Sequence, residues 1–183
     1  MESRRSARPN GAAAIRRAVA VSKSTRVRRV VEIGFGDVPP YGSQWLLLDS
    51  HVWYWLLEDS ADQIAASARE TVLTAVAERR VAISEASPWE LLTKAHLGRL
   101  RTTLPPRAWI TRALAAPGLR VIPLTRSVLF DSVELPGARV PRDPFDRVII
   151  ASARHEGMTL VTADRAILDW NRENDAVQVL RAR

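Results

Sequence analysis

From Trp45 to the end of the chain, short apolar runs alternate with longer amphipathic stretches. The runs QWLLL (44–48), VAIS (81–84), LRVIPL (119–124), MTLVT (158–162) and VQVL (177–180) have strand length and little polar alternation, the pattern of strands covered on both faces. Between them lie helix-length stretches: SHVWYWLLED (50–59), ADQIAASARETVLTAVAERR (61–80), SPWELLTKAHLGRL (87–100), PPRAWITRALAAPG (105–118) and DPFDRVIIASARHEG (143–157). In the second of these, Ile64, Ala68, Val72 and Val76 recur at helical spacing. Proline opens the fourth, and Gly98 and Gly118 are the expected stops of the third and fourth. TRSVLFDSVELPG (125–137) reads as a short helix and loop. Strands alternating with helices predict an α/β fold in three layers, α/β/α, around a mainly parallel sheet of four or five strands.

Four acids stand where these runs end or a helix begins: Asp49, Glu90, Asp146 and Asp164. In a parallel sheet, all four are expected at the carboxyl edge of the strands, where ligands gather in open α/β folds. Three have an ordinary structural reading. Ser87-Pro88-Trp89-Glu90 fits a capping box with Ser87 at the N-cap, Asp143-Pro144-Phe145-Asp146 repeats that layout, and Asp164 suits a cap after LVTAD. Asp49 differs, because it follows three leucines at the end of a buried strand, where a lone carboxylate is costly. Crowded carboxylates with no Lys or Arg to balance them in the same motifs raise one another's pKa, and a hard divalent cation relieves the charge.

The composition narrows the setting. A chain of 183 residues that is 46% hydrophobic suffices for one α/β domain with a sizeable core. It has no cysteine, which excludes disulfides, thiolate nucleophiles and cysteine-type zinc sites and fits a reducing compartment. No apolar run approaches the ~20 residues that span a bilayer, so a cytoplasmic protein without membrane contact is expected. The net charge of +7 is unevenly placed: residues 1–44 hold nine basic and three acidic groups, leaving +1 for the other 139 residues. That basic, Arg-, Ser- and Ala-rich segment predicts a disordered extension preceding a domain at 45–183; a nucleic-acid-contacting arm and a transit segment are its other readings.

Taken in order, LLLDSHVWYWLL, SEASPWELLTKAHLGRL, RDPFDRVIIASARHEGMTLVTAD and the closing VQVL resemble the PIN-domain ribonucleases, particularly the VapC-like toxins of prokaryotic toxin–antitoxin pairs. The resemblance spans about residues 46–180. It implies a PIN-like fold and a metal-dependent endoribonuclease that hydrolyses RNA phosphodiester bonds. It also implies an Mg²⁺ cofactor, with Mn²⁺ as substitute, a cognate antitoxin that masks the acidic groove, and a homodimer. By the same resemblance Asp49, Glu90, Asp146 and Asp164 are both the catalytic and the metal-holding acids. Ser50 stands where the family often has threonine, which retains a hydroxyl. Ser50 and Thr162, beside acids at strand ends, and Asp143 as an accessory acid are candidates for supporting the ligands or contacting a phosphate.

The alternatives within this fold are a PIN nuclease of RNA processing without an antitoxin, and a non-catalytic RNA-binding module, whose expected signature is a missing acid. Other chemistry fits less well. Asp49, Ser50 and His51 are sequence neighbours whose side chains point apart, so they do not make a hydrolase triad. His96 and His155 stand alone on helix patterns without zinc-binding spacing. Trp53, Trp89 and Trp109 sit in helix patterns that suggest core or dimer packing rather than base stacking.

Overall fold

In the computed structural model, which describes residues 44–58 and 60–183, alternate residues of the central strands feed two separate cores. On β1 (Leu46–Leu48), Leu46 and Leu48 pack to one side and Leu47 to the other. On β2 (Val81–Ser84), Val81 and Ile83 join the first core and Ala82 the second; on β4 (Thr159–Thr162), Val161 and Leu160 divide in the same way. Burial on both faces explains why the runs are continuously apolar.

The first core is roofed by α1 (Ser50–Leu57), α2 (Ala66–Ala77) and α4 (Pro106–Leu114), with Leu91 of α3 (Ala86–His96). The second lies under α5 (Arg126–Val133), α6 (Pro144–Glu156) and α7 (Arg165–Asn174). Strands β3 (Leu119–Ile122) and β5 (Val179–Arg181) complete the sheet, whose order is β3-β2-β1-β4-β5 with every pairing parallel. This is the expected three-layer α/β/α arrangement. The chain runs outward from β1 through β2 to β3, then returns to the other side of β1 as β4. The order therefore reverses between β1 and β4, and the connections leaving those two strands diverge at the carboxyl edge. Such a point is where open α/β sheets form their binding crevice.

Several boundaries differ from those read in the sequence. The stretch 61–80 is not one helix: a 3-10 turn at Ala61–Gln63 precedes α2. Helix α4 ends at Leu114 rather than near Gly118, since Pro117 disfavours the helical conformation in the residue before it. Gly98, with φ +69, does close the end of α3, where amides of Gly98 and Arg99 bond back to Ala95 and Lys94 carbonyls. The last strand is Val179–Arg181 rather than 177–180, because its pairing to Leu160–Thr162 sets the register. The predicted extension lies, apart from Gln44, outside the described residues. No helix among those described is long and apolar enough to cross a membrane.

Candidate active site at the carboxyl edge of the sheet

Asp49 follows directly on β1 and is 2% exposed, and its backbone amide bonds to Val161 O on β4 at 3.0 Å. Its Oδ2 accepts two hydrogen bonds. One comes from the fully buried hydroxyl of Thr162, the last residue of β4, at 2.5 Å; the other comes from His51 Nδ1 at 3.2 Å. Thr162 Oγ1 in turn accepts the amide of Asp164 at 3.0 Å, and Asp164 Oδ1 caps α7 by accepting the amides of Ala166 and Ile167. The structural reading of Asp164 as a cap is therefore correct, and it leaves the second carboxylate oxygen for other work.

His51 is the functional candidate that the sequence did not supply. Its side chain lies across the switch point, with Nδ1 on Asp49 and Nε2 accepting the amide of Ala163 at 3.0 Å, while its ring meets the edge of Trp55 at 4.9 Å between centroids. Burial lowers the imidazole pKa, but the hydrogen bond and charge of Asp49, with the charges of Asp164 and Glu90, outweigh it and draw the value upward. The amide of Ala163 opposes protonation, because a proton on Nε2 would meet that N–H head-on. With Nε2 accepting that amide, the ring proton belongs on Nδ1, facing Asp49. The only signal in the sequence is the acid-x-His spacing across the start of a helix.

Glu90 reaches the same edge from the second turn of α3 and is 5% exposed. It does not complete a capping box. Helix α3 begins at Ala86, so Ser87 lies inside the first turn, and its buried hydroxyl has no hydrogen-bond partner. Glu90 Oε1 instead pairs with Lys94, one turn on, and Oε2 is buried without a partner. Lys94 also corrects the expectation that the acids lack a counter-charge in their own motifs. Its ammonium loses water on burial, which lowers its pKa, yet the bond and charge of Glu90 and the charges of Asp143 and Asp146 draw it upward. The Glu-x-x-x-Lys spacing on one helix face was legible.

Asp146 stands in the first turn of α6, whose N-cap is Asp143, accepting the amide of Phe145 at 2.8 Å. Burial, and then the charges of Asp49, Asp143, Asp164 and Glu90, push its carboxyl from an ordinary 3.8 up to about 8. All four predicted acids thus share one electrostatic neighbourhood. They do not converge as tightly as expected: among the described residues, no three Asp, Glu or His side chains stand close enough to hold one ion as they are. The long-range effect on Asp146 and the absence of a tight cluster are compatible, since Coulombic influence reaches well beyond ligand distance.

Of the supporting candidates, Thr162 binds Asp49, Asp143 caps α6, and Ser50 Oγ is buried without a partner. Trp53 and Trp109 are core residues, but Trp89 is 61% exposed and edge-to-face with Phe145 at 4.8 Å, so of its core and dimer-packing readings the structure excludes the core. Trp89 precedes Glu90 in the chain, and its ring partner Phe145 precedes Asp146.

The donor set fits a hard divalent cation. A buried, unpartnered carboxylate oxygen on Glu90, and a carboxyl on Asp146 whose ionisation is opposed by burial and then by surrounding negative charge, are both relieved by a positive ion bound through oxygen.

The PIN-domain family model matches residues 46–172. The chain belongs to the PIN-domain family. It is 33% identical over 122 residues to ribonuclease VapC22 of Mycobacterium tuberculosis (strain ATCC 25618 / H37Rv), a match covering 67% of this chain and 88% of that protein. Among solved structures, its fold is similar to DNA-bound VapBC from Salmonella typhimurium, with a TM-score of 0.53 and 18% identity. It is also similar to VapBC2 from Rickettsia felis bound to a promoter DNA fragment, with a TM-score of 0.52 and 16% identity. Each structural match covers 74% of this chain and 96% of the other. The recognition made from the ordered motifs is therefore correct.

Proposed function

We propose that this PIN-domain protein is a metal-dependent endoribonuclease and the toxin of a toxin–antitoxin pair. One observation carries the reading: burial and four neighbouring carboxylates hold Asp146 up to about 8, at the point where the sheet order reverses. A fold gains nothing from concentrating negative charge there unless a cation or a cationic group joins it.

Asp49, Glu90, Asp146 and Asp164 would hold the cation, Mg²⁺ or in its place Mn²⁺. When bound, such an ion supplies a nucleophilic water near neutral pH and stabilises charge on the phosphoryl and leaving oxygens. The chain's own residues do the rest. Thr162 and His51 fix Asp49, the α7 cap fixes Asp164, and Glu90 is seated by its helix with Oε1 already engaged by Lys94. Lys94, with its ammonium among Glu90, Asp143 and Asp146, is also suited to meet an RNA phosphate as it enters.

The resemblance of the chain to a VapC ribonuclease, and of its fold to VapBC complexes, supports an antitoxin partner as well as RNA substrate. Such a partner would mask the acidic edge by supplying a basic side chain. A homodimer belongs to the same proposal. The test is induced expression in bacteria with mapping of new RNA 5′ ends. Growth arrest and discrete cleavage sites are expected, and both should vanish with Asp49→Asn. Arrest without cleavage, or cleavage by the Asp49→Asn variant, contradicts the proposal.

A further inference from the structure

We propose that His51 is a positioning residue that clasps Asp49 to the turn leading to Asp164, with Nδ1 toward Asp49 and Nε2 accepting the amide of Ala163. The inference rests on the reading of Asp49 and Asp164 as cation-holding acids. Asp49 leaves β1 and Asp164 follows β4, and beyond these adjacent strands the chain diverges. Two bridges span the divergence. Thr162 joins Asp49 Oδ2 to the amide of Asp164 through a single hydroxyl. His51 joins the same Oδ2 to the next amide back, that of Ala163, through its two ring nitrogens. Consecutive amides of one turn are thereby tied to one carboxylate oxygen.

The choice of side chain follows from this geometry. The bridge must donate at one end and accept at the other, across the width of a ring, and an imidazole with its proton on Nδ1 does both without internal freedom. With both donors on Oδ2, Asp49 Oδ1 has no hydrogen bond among the described residues and is the oxygen left for a cation. Edge contact with Trp55 fixes the ring plane. Partners standing behind a ligand in this way typically change metal affinity or activity by ~10–100-fold when removed.

The experiment compares the full chain with His51→Ala, His51→Asn and His51→Gln. Asparagine places its amide near the Nδ1 position and keeps a donor for Asp49; glutamine reaches the Nε2 position and keeps only an acceptor for Ala163. Mn²⁺ affinity by titration calorimetry, kcat and KM on a single-stranded RNA, and melting temperature are read for each. Long-range proton–nitrogen NMR reads the tautomer in the parent.

The expected result is the Nδ1–H tautomer in the parent and ~10-fold or greater loss of Mn²⁺ affinity and kcat in His51→Ala, with KM little changed. His51→Asn should recover more of both than His51→Gln. Parent-like Mn²⁺ affinity and kcat in His51→Ala overturn the proposal. So does a proton found on Nε2 in the parent, where the amide of Ala163 has to be accepted, or equal losses in all three variants that follow their melting temperatures. A parent that shows the Nδ1–H tautomer yet binds no Mn²⁺ and cleaves no RNA counts against the cation centre, while leaving the clasp as observed.

Discussion

Thr162 donates its hydroxyl to Asp49 Oδ2 across 2.5 Å, joining two buried side chains that are 113 residues apart in sequence. The distance is that of a charge-assisted O–H to carboxylate bond. Thr162 Oγ1 also accepts the Asp164 amide, so one hydroxyl serves two acids of the site. Thr162→Val should therefore lower stability by about 1–3 kcal/mol, by leaving buried polar groups unmatched, and should depress cleavage. Thr162→Ser should recover most of both. Chemical denaturation midpoints and RNA cleavage rates check this; a valine variant with parent-like values contradicts it.

The pH dependence of the cation-free protein follows from Asp146. Its carboxyl keeps a proton up to about 8 in the folded chain, against an ordinary value of 3.8 when unfolded. Across that window the folded state binds more protons than the unfolded state, so the contribution of Asp146 to stability falls as pH rises and is lost above about 8. Asp146→Asn has no charge to bury. Its melting temperature in chelator should gain on the parent steadily through this window and run parallel above it. Added Mg²⁺ should raise the melting temperature of the parent more at the alkaline end than at the acid end. A difference between variant and parent that shrinks with rising pH would contradict the assignment.

Asp164 both caps α7 and faces the other acids, and two substitutions separate the roles. Asp164→Asn retains an oxygen for the amides of Ala166 and Ile167, so stability should hold while cleavage falls. Asp164→Ala should lose cleavage and also about 1 kcal/mol of stability. Equal stability in the two variants would remove the cap from this account.

Ser87 and Glu90 make a complementary pair. Because Ser87 lies within α3 with an unpartnered buried hydroxyl, Ser87→Ala should leave the melting temperature unchanged or slightly higher, rather than show the loss of about 1 kcal/mol expected from an N-cap. Glu90→Gln should reduce cleavage by on the order of 10² or more with little loss of folding stability. A destabilised Ser87→Ala variant would restore the capping reading.

Much of this was legible in the sequence because it depends on local pattern. Strands buried on both faces write themselves as apolar runs, and Asp49 and Asp164 are conspicuous because they stand one and two residues beyond such runs. The aspartate N-caps at Asp143 and Asp164 were also readable from the residues that follow them. Long-range partners were not. That His51 turns back onto Asp49 depends on Ala163 being delivered beside it by β4, and the pairing of β1 with β4 is a property of sheet order that no local pattern encodes. Ser87 is an interior residue because α3 starts two residues earlier than a cap at Ser87 requires, with Glu85 at the N-cap. Helical spacing shows a ring's helix face but not whether another element covers it, which is why the core reading did not suit Trp89.

The most direct test of the central claim is the rate at which the purified full chain cleaves single-stranded RNA, measured after EDTA treatment and again across a Mg²⁺ titration. The account predicts loss of cleavage in chelator, saturable recovery with Mg²⁺, and recovery also with Mn²⁺, with Asp49→Asn and Asp146→Asn inactive although folded. Undiminished cleavage in excess EDTA would contradict it.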